Sequence, residues 1–329
     1  MDLDLVFLGT SGSVPTAHRA PSALLLRRGG ERLLFDCGEG TQRQLLRSAV
    51  GLVELREIFV SHFHADHYLG LPGMLKTFAL RGREVPLTVY GPRGLKDLFA
   101  TLRRVFGRLP YALELVELLP GDVLERDEYN LVTFPVAHRV ESLGFALVEH
   151  PRPGRFDVGA ADALGVPSGP ERGLLQAGES VHLLGGTVVT PDEVLGPPRA
   201  GRRIVLSGDT ASAPSVLEAA RGAEALVHEA TFLDEERERA QETAHATALE
   251  AAELARDADV GLLALTHLSN RYFGPEIVRE ARTIFPDTVV PKDFDVIDIP
   301  FPERGAPQLV KAGAAQRREE RAPEAEVVP

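Results

Sequence analysis

The segment Ser61-His62-Phe63-His64-Ala65-Asp66-His67 places three imidazoles and a carboxylate within six consecutive positions. Neutral imidazole nitrogen and carboxylate oxygen are donors that suit zinc, with manganese as an alternative. His62 and His64 are two apart and share one face of an extended chain. Asp66 and His67 come after the expected turn and can face a different ion. A lone histidine is most often a surface or hydrogen-bonded core residue; four ligand-type residues directly behind an apolar strand need another explanation. The theme then repeats. Val136-Ala137-His138, Ser207-Gly208-Asp209-Thr210, His228-Glu229-Ala230-Thr231 and Thr266-His267-Leu268-Ser269 each follow a short apolar run. His138, Asp209 and His267 bring the candidate ligands to seven, enough for two ions sharing Asp209.

These groups need strands that end on a common edge. The apolar runs Glu57–Val60, Leu131–Pro135, Ile204–Leu206, Ala225–Val227 and Leu262–Leu265 supply them. In α/β sheets such strand ends are the usual position of a site. Further strands are expected at Leu3–Leu8, Thr88–Tyr90 and Leu143–Val148, and a hairpin where Ala23–Leu26 and Leu33–Phe35 flank Arg28-Gly29-Gly30-Glu31. Helices are expected over Thr41–Ser48 and Thr247–Asp257, and where Leu95, Leu98, Phe99 and Leu102 recur at helical spacing. Strands and helices alternate, which is an α/β pattern. Residues 151–201 break it with a density of glycine and proline, as an excursion or lid would. The chain from 303 to 329 is rich in Ala, Glu and Arg and reads as a disordered tail.

The chain has 329 residues, 44% of them hydrophobic, enough for a sizeable core. No apolar run approaches the ~20 residues of a membrane-spanning helix, and Met1-Asp2-Leu3-Asp4 has no basic leader, so no signal peptide is expected. A single cysteine fits a reducing cytoplasm. The net charge of −12 works against phosphates at long range. The final segment does not account for it, since 303–329 carries five basic and five acidic residues. The stretch 81–108 is locally basic, with Arg81, Arg83, Arg93, Lys96, Arg103, Arg104 and Arg108 against Glu84 and Asp97.

The whole set of motifs resembles the metallo-β-lactamase superfamily and, within it, the tRNase Z family. The histidine-rich segment carries the general likeness. Phe7-Leu8-Gly9-Thr10, Phe35-Asp36-Cys37-Gly38-Glu39-Gly40-Thr41-Gln42, Ser207-Gly208-Asp209-Thr210, His228-Glu229-Ala230-Thr231, Ala244-His245-Ala246-Thr247-Ala248 and Thr266-His267-Leu268-Ser269-Asn270-Arg271-Tyr272 carry the narrower one. The resemblance implies a four-layer αβ/βα sandwich over residues 1–302, with a protruding arm at about 151–196, and a cytoplasmic homodimer acting on precursor tRNA. It implies two zinc ions, one on His62, His64 and His138, the other on Asp66, His67 and His267, with Asp209 bridging. It assigns Asp66 to the attacking water, His245 to protonation of the leaving group and Glu229 to orienting His245.

Substrate contacts are implied for Arg19, Arg271 and the arm residues Gly169 and Pro170. The family's Pro-x-Lys-x-Arg-Asn loop reads Pro15-Thr16-Ala17-His18-Arg19-Ala20 here, with Pro15 and Arg19 kept and alanines for Lys and Asn. The arm is not basic, since Arg152, Arg155 and Arg172 stand against Asp157, Asp162, Glu171 and Glu179 over 151–185. The expected activity is removal of the 3′ trailer by phosphodiester hydrolysis, leaving a tRNA 3′-hydroxyl. The alternatives are another hydrolase of this fold (a small phosphodiesterase, lactonase or glyoxalase-like enzyme) or a di-iron redox protein, which would need a flavin module that no segment supplies.

Overall fold

Two mixed sheets face each other across an apolar layer. The computed structural model describes residues 1–48, 50–52 and 55–313. The first sheet has eight strands, in spatial order Gln308–Val310, Val296–Asp298, Leu3–Gly9, Ala23–Arg28, Glu31–Phe35, Glu57–Phe59, Leu87–Gly91 and Leu113–Glu117. The second has seven: Thr288–Val289, Leu263–Thr266, Ala225–Glu229, Arg203–Leu206, Leu143–Glu149, Tyr129–Pro135 and Val123–Glu125. Leu5, Phe7, Phe35 and Phe59 from one sheet pack against Leu131, Phe145, Ile204 and Val227 from the other. Each outer face is covered by helices. Met74, Leu75, Leu95 and Phe99 lie over the first sheet, and Ala251, Ala252, Ala255 and Ile277 over the second. This is the expected four-layer sandwich.

The strand ends converge for a topological reason. Arg203–Leu206, Ala225–Glu229 and Leu263–Thr266 run parallel. Tyr129–Pro135 is antiparallel to Leu143–Glu149, which is antiparallel to Arg203–Leu206. Two reversals restore the direction, so all four strands discharge at one edge. Across the layer, Glu57–Phe59 discharges there too: Leu143 N–H donates to the Ser61 carbonyl at 3.0 Å, tying the two sheets together beside His62.

The helices begin where local chemistry stops the strands. Ala248–Asp257 is closed by a capping box in which the Thr247 hydroxyl accepts from Glu250 N–H and the Glu250 carboxylate accepts from Thr247 N–H. Leu95–Phe106 buries Leu95, Phe99 and Phe106. A side chain at Gly94, just before it, would meet Phe63 at 3.6 Å, so this helix starts beside the histidine segment.

Residues 151–196 form the helices Val158–Ala163 and Pro170–Gln176 and the hairpin Val181–His182 with Val188–Val189. They enclose a small core of Ala161, Val166, Leu175, Val181, Val189 and Val194, separate from the sandwich.

The tail expected from 303 onward is corrected in its first part. Pro302–Arg304 is a 3-10 turn, and Gln308–Val310 adds an edge strand to Val296–Asp298. Lys311 and the Ala312 N–H then bind the buried Asp295 carboxylate. Leu309 packs against the interlayer core and Val310 against the outer one. Residues 314–329 of that expectation lie outside the described residues. No helix among the described residues is long and apolar enough to cross a membrane.

Candidate metal centre

Seven side chains converge at the common edge. His62, His64, His138 and Asp209 form one group that could hold a metal ion; Asp66, His67 and His267 form another. The Asp209 carboxylate oxygen Oδ2 lies 3.3 Å from His67 Nε2, 3.2 Å from His267 Nε2 and 3.7 Å from His62 Nε2, which puts it between the groups. The backbone places His138 beside Asp209. Ala211 N–H donates to the Ala137 carbonyl at 2.8 Å, and Ala137 N–H donates to the Thr210 hydroxyl at 3.0 Å.

The far nitrogen of most of these rings is already committed. His138 Nδ1 binds the Ala244 carbonyl at 2.9 Å. His67 Nδ1 lies 2.6 Å from Asp36 Oδ2. The Thr231 hydroxyl, spent as a donor to Glu229 at 2.6 Å, accepts from His267 Nδ1 at 3.0 Å. A proton held at Nδ1 leaves Nε2 with a bare lone pair. His67 Nε2 and His267 Nε2 then face each other at 3.4 Å, with Asp66 Oδ2 3.2 Å from the latter. His64 Nδ1 is 3.0 Å from His62 Nε2 and 3.1 Å from His138 Nε2. Acceptors turned on acceptors at such distances require positive charge between them, so the donor set fits divalent metal. The electrostatics agree. Burial disfavours positive charge at His67, yet Asp209 and Asp36 outweigh it and raise the ring well above the usual imidazole range, so its Nε2 attracts a cation, with a proton and a metal ion in competition. Burial likewise opposes ionised Asp66, but His267 and His67 hold it well below the carboxylate range.

Next to these ligands, His245 Nδ1 lies 2.7 Å from Glu229 Oε1. Glu229 is fully enclosed. It also accepts from Thr210 N–H at 2.7 Å, so its position is set independently of the imidazole. Burial lowers the basicity of His245, but the Glu229 carboxylate overrides it and pushes the ring up to about 9. The ring stacks on His267 with centroids 5.4 Å apart. His245 follows Ala244, whose left-handed φ of 55° ends the helix Arg237–Thr243 and turns its carbonyl to His138. His245, Asp209 and His267 make a third possible ligand group, although Glu229 occupies one of the two His245 nitrogens.

The expected substrate residues divide. Arg271 lines a recess of ≈230 Å³ with His245, Thr231, Arg239 and Asn270, while its guanidinium binds Glu236 at 2.6 Å. Gly169 and Pro170 stand apart on the arm, at the start of Pro170–Gln176. Arg19 points inward. Its Nη1 donates to the Thr10 hydroxyl at 2.6 Å and to the Pro291 carbonyl at 2.8 Å. Asp293 completes the brace by accepting from Thr10, Ala20 N–H and Gln44. The loop so held presents Ser13, at φ 60°, whose N–H donates to Asp66 Oδ2 at 2.8 Å. At Gly12 a Cβ would fall 2.7 Å from the ring and carbonyl of His267, so only glycine fits.

Sequence reasoning gave no role to Asp36, Ser61, Thr231 or the Ser13 N–H. Asp36 and Thr231 lie inside quoted motifs, and a carboxylate or hydroxyl for the free nitrogen of each ligand histidine was the available signal. The other histidines lie elsewhere: His150 contacts Asp127 and Asn130, and His182 is exposed on the arm hairpin.

The fold and this donor set define a protein of the metallo-β-lactamase class. A beta-lactamase superfamily domain model matches residues 31–268. Ribonuclease Z of Methanosarcina acetivorans is 48% identical over 303 residues, covering 91% of this chain and 99% of that protein. Ribonuclease Z of Myxococcus xanthus is 49% identical over 271 residues, covering 82% and 88%. The crystal structure of human tRNase Z, short form (ELAC1), superimposes with a TM-score of 0.67 at 28% identity, covering 90% of this chain and 99% of that one. The chain belongs to the metallo-β-lactamase superfamily and, within it, to the ribonuclease Z family.

Proposed function

We propose that this protein is an endoribonuclease that removes the 3′ trailer from precursor tRNA by phosphodiester hydrolysis, with two zinc ions per subunit. One ion is assigned to His62, His64 and His138, the other to Asp66, His67 and His267, with Asp209 between; manganese is the alternative. Bound there, the ions supply Lewis acidity toward a phosphodiester oxygen and acidify water to near-neutral pKa. The remaining work falls to the chain. Asp66, held by the Ser13 N–H, is assigned to hold or deprotonate the attacking water. His245, kept cationic by Glu229, donates a proton to the departing 3′-oxygen, which is a poor leaving group without one. The products are a tRNA 3′-hydroxyl and a 5′-phosphorylated trailer.

The Glu229–His245 pair beside the ligand cluster carries this reading, because breaking an ester to an alkoxide leaving group calls for a general acid. The arm, with a core of its own, is assigned to the tRNA body at a distance from the cut, with Gly169 and Pro170 on its gripping helix. The working form is assigned as a cytoplasmic homodimer in which each arm serves the partner's site. The test is incubation of zinc-loaded protein with a 3′-extended precursor tRNA and mapping of the product ends. A 3′-hydroxyl on the tRNA body and a 5′-phosphate on the trailer are expected. Hydrolysis of bis(p-nitrophenyl) phosphate with no cleavage of precursor would refute it.

A further inference from the structure

The arm leaves the second sheet after Leu143–Glu149 and returns at Arg203–Leu206. At its root the two limbs are joined by backbone. Arg152 N–H donates to the Arg199 carbonyl at 2.8 Å, and Arg199 N–H to the Arg152 carbonyl at 2.9 Å. Farther out, Gly196 N–H donates to the Arg155 carbonyl at 2.9 Å and Asp157 N–H to the Val194 carbonyl at 2.7 Å. A Cβ at Gly154 would fall 1.8 Å from the Gly196 carbonyl, so the limbs touch there. The root is therefore a narrow, doubly bonded ribbon, and its direction is decided where it meets the body.

Both arginines at that junction converge on one carboxylate. Arg152 binds Glu303 through both amino nitrogens, Nη1 to Oε1 at 2.9 Å and Nη2 to Oε2 at 3.0 Å, while Arg199 Nη1 reaches Oε1 at 3.0 Å. The Arg152 guanidinium also lies 3.5 Å from the centroid of the Phe301 ring, and that of Arg202 lies 3.9 Å from it. Glu303 sits on the 3-10 turn Pro302–Arg304, between the first-sheet strands Val296–Asp298 and Gln308–Val310. An arm that grows from the second sheet is thus braced by the last connection of the first. These pairs are partly exposed, and such pairs contribute little to global stability. A forked, two-oxygen pair shared with a second arginine contributes geometry instead.

We infer that Glu303 is a positioning residue for the RNA: by clamping Arg152 and Arg199 it fixes the direction of the arm and so the affinity for the tRNA body. The inference rests on the reading of the arm given under Proposed function. It concerns the folded tRNA substrate and not the scissile ester, so small phosphodiesters should not sense it.

Glu303→Gln, Glu303→Asp and a variant with 157–194 replaced by a short Gly-Ser link test this in the full chain. Steady-state kinetics are read on precursor tRNA and on bis(p-nitrophenyl) phosphate. For Glu303→Gln, KM for precursor should rise roughly tenfold with kcat within about twofold, the signature of lost binding that is uniform along the reaction. Glu303→Asp, which keeps both oxygens, should recover part of the loss. Turnover of the small ester should be unchanged. If the arm deletion raises KM and Glu303→Gln does not, the clamp is refuted while the role of the arm stands. If Glu303→Gln slows both substrates alike, its role is general folding and the inference is overturned. If the arm deletion leaves precursor KM unchanged, the arm reading itself fails and the clamp fails with it.

Discussion

Asp36 Oδ2 lies 2.6 Å from Nδ1 of His67, the most deeply committed imidazole of the centre. The same carboxylate accepts from Ser61 N–H at 2.8 Å and the Ser61 hydroxyl at 3.0 Å, so it is anchored to the histidine segment it orients. A ligand ring with its outer nitrogen bonded to a carboxylate is a fixed tautomer and a better base. Asp36→Ala should weaken metal binding roughly 10- to 100-fold while leaving far-ultraviolet dichroism unchanged. Equilibrium dialysis against a competing chelator measures this; wild-type affinity would remove Asp36 from the centre.

Protonation by His245 has its own signature. Its Nδ1 is held by Glu229 at 2.7 Å, so only Nε2 is left to serve a leaving group. His245→Ala should retain metal and lose about 10²- to 10⁴-fold in kcat on precursor tRNA. On bis(p-nitrophenyl) phosphate, whose leaving group departs without a proton, the loss should be under about tenfold. Equal losses on both substrates would assign His245 to binding or metal ligation instead.

Strand ends carrying His or Asp were legible because apolar runs and ligand residues alternate openly along the chain. Thus the elements holding His62, His138, Asp209 and His267 follow from the pattern alone. What was not legible depends on contacts between distant positions. Asp36 meets His67 only because Glu31–Phe35 and Glu57–Phe59 become parallel neighbours in the first sheet, and Thr231 meets His267 only because Ala225–Glu229 and Leu263–Thr266 do so in the second. Arg19 belongs to a loop that looks like a substrate loop, yet its guanidinium is spent on Thr10 and Pro291, which lies 272 positions away. Gln308–Val310 reads as tail because the segment 303–329 around it is rich in Ala, Glu and Arg, while its order comes from pairing with Val296–Asp298 and from the Asp295 carboxylate behind it.

The inward course of Arg19 makes a prediction that separates bracing from substrate contact. Through Asp293 and Thr10 it holds the loop whose Ser13 N–H orients Asp66. Arg19→Ala should therefore lower kcat on the small ester and on precursor tRNA by similar factors, roughly tenfold, with KM little changed. A residue touching RNA would raise KM for precursor and leave the small ester alone. That split, in one pair of kinetic runs, decides between them.

Acid stability is set on the opposite side of the sandwich. Glu149, almost wholly buried, accepts from Arg202 at 2.7 and 2.8 Å and from Arg28 at 3.0 Å. Burial opposes its charge, but the Arg202 guanidinium and backbone, with Arg28, hold the carboxyl below its usual 4.5. A carboxylate depressed in the folded state adds stability above the unfolded value, and that stability is lost as pH falls through the folded one. Urea midpoints should be flat above pH ~5 and drop below pH 4.5. Glu149→Ala, which leaves the buried Arg202 guanidinium without a carboxylate and Arg28 with only Glu128 and Glu31, should cost about 3–5 kcal/mol at pH 7 and flatten that acid limb. A variant as stable as wild type at pH 7 would contradict the assignment.

A chain of net charge −12 that binds RNA must confine its attraction to a small zone. The locally basic stretch supplies less than its composition suggests, since Arg83 is spent on the carbonyls of Leu55, Val85 and Pro86. On the arm Arg172 is paired with Asp162, and at its root Arg152 with Glu303. Arg81, Arg93, Lys96, Arg103, Arg104 and Arg108 stay exposed; the expectation is that no more than about four of them meet phosphates and that shape supplies the rest of the affinity. Each neutralised phosphate contributes about −0.7 to −0.9 to the slope of log K against log salt. The slope for the slow-turnover His245→Ala protein on precursor tRNA should be no steeper than about −3. Fluorescence anisotropy between 50 and 300 mM salt, roughly the range in which screening changes most, measures it. A slope near −6 would mean that a basic surface dominates binding, and shape would then be the lesser term.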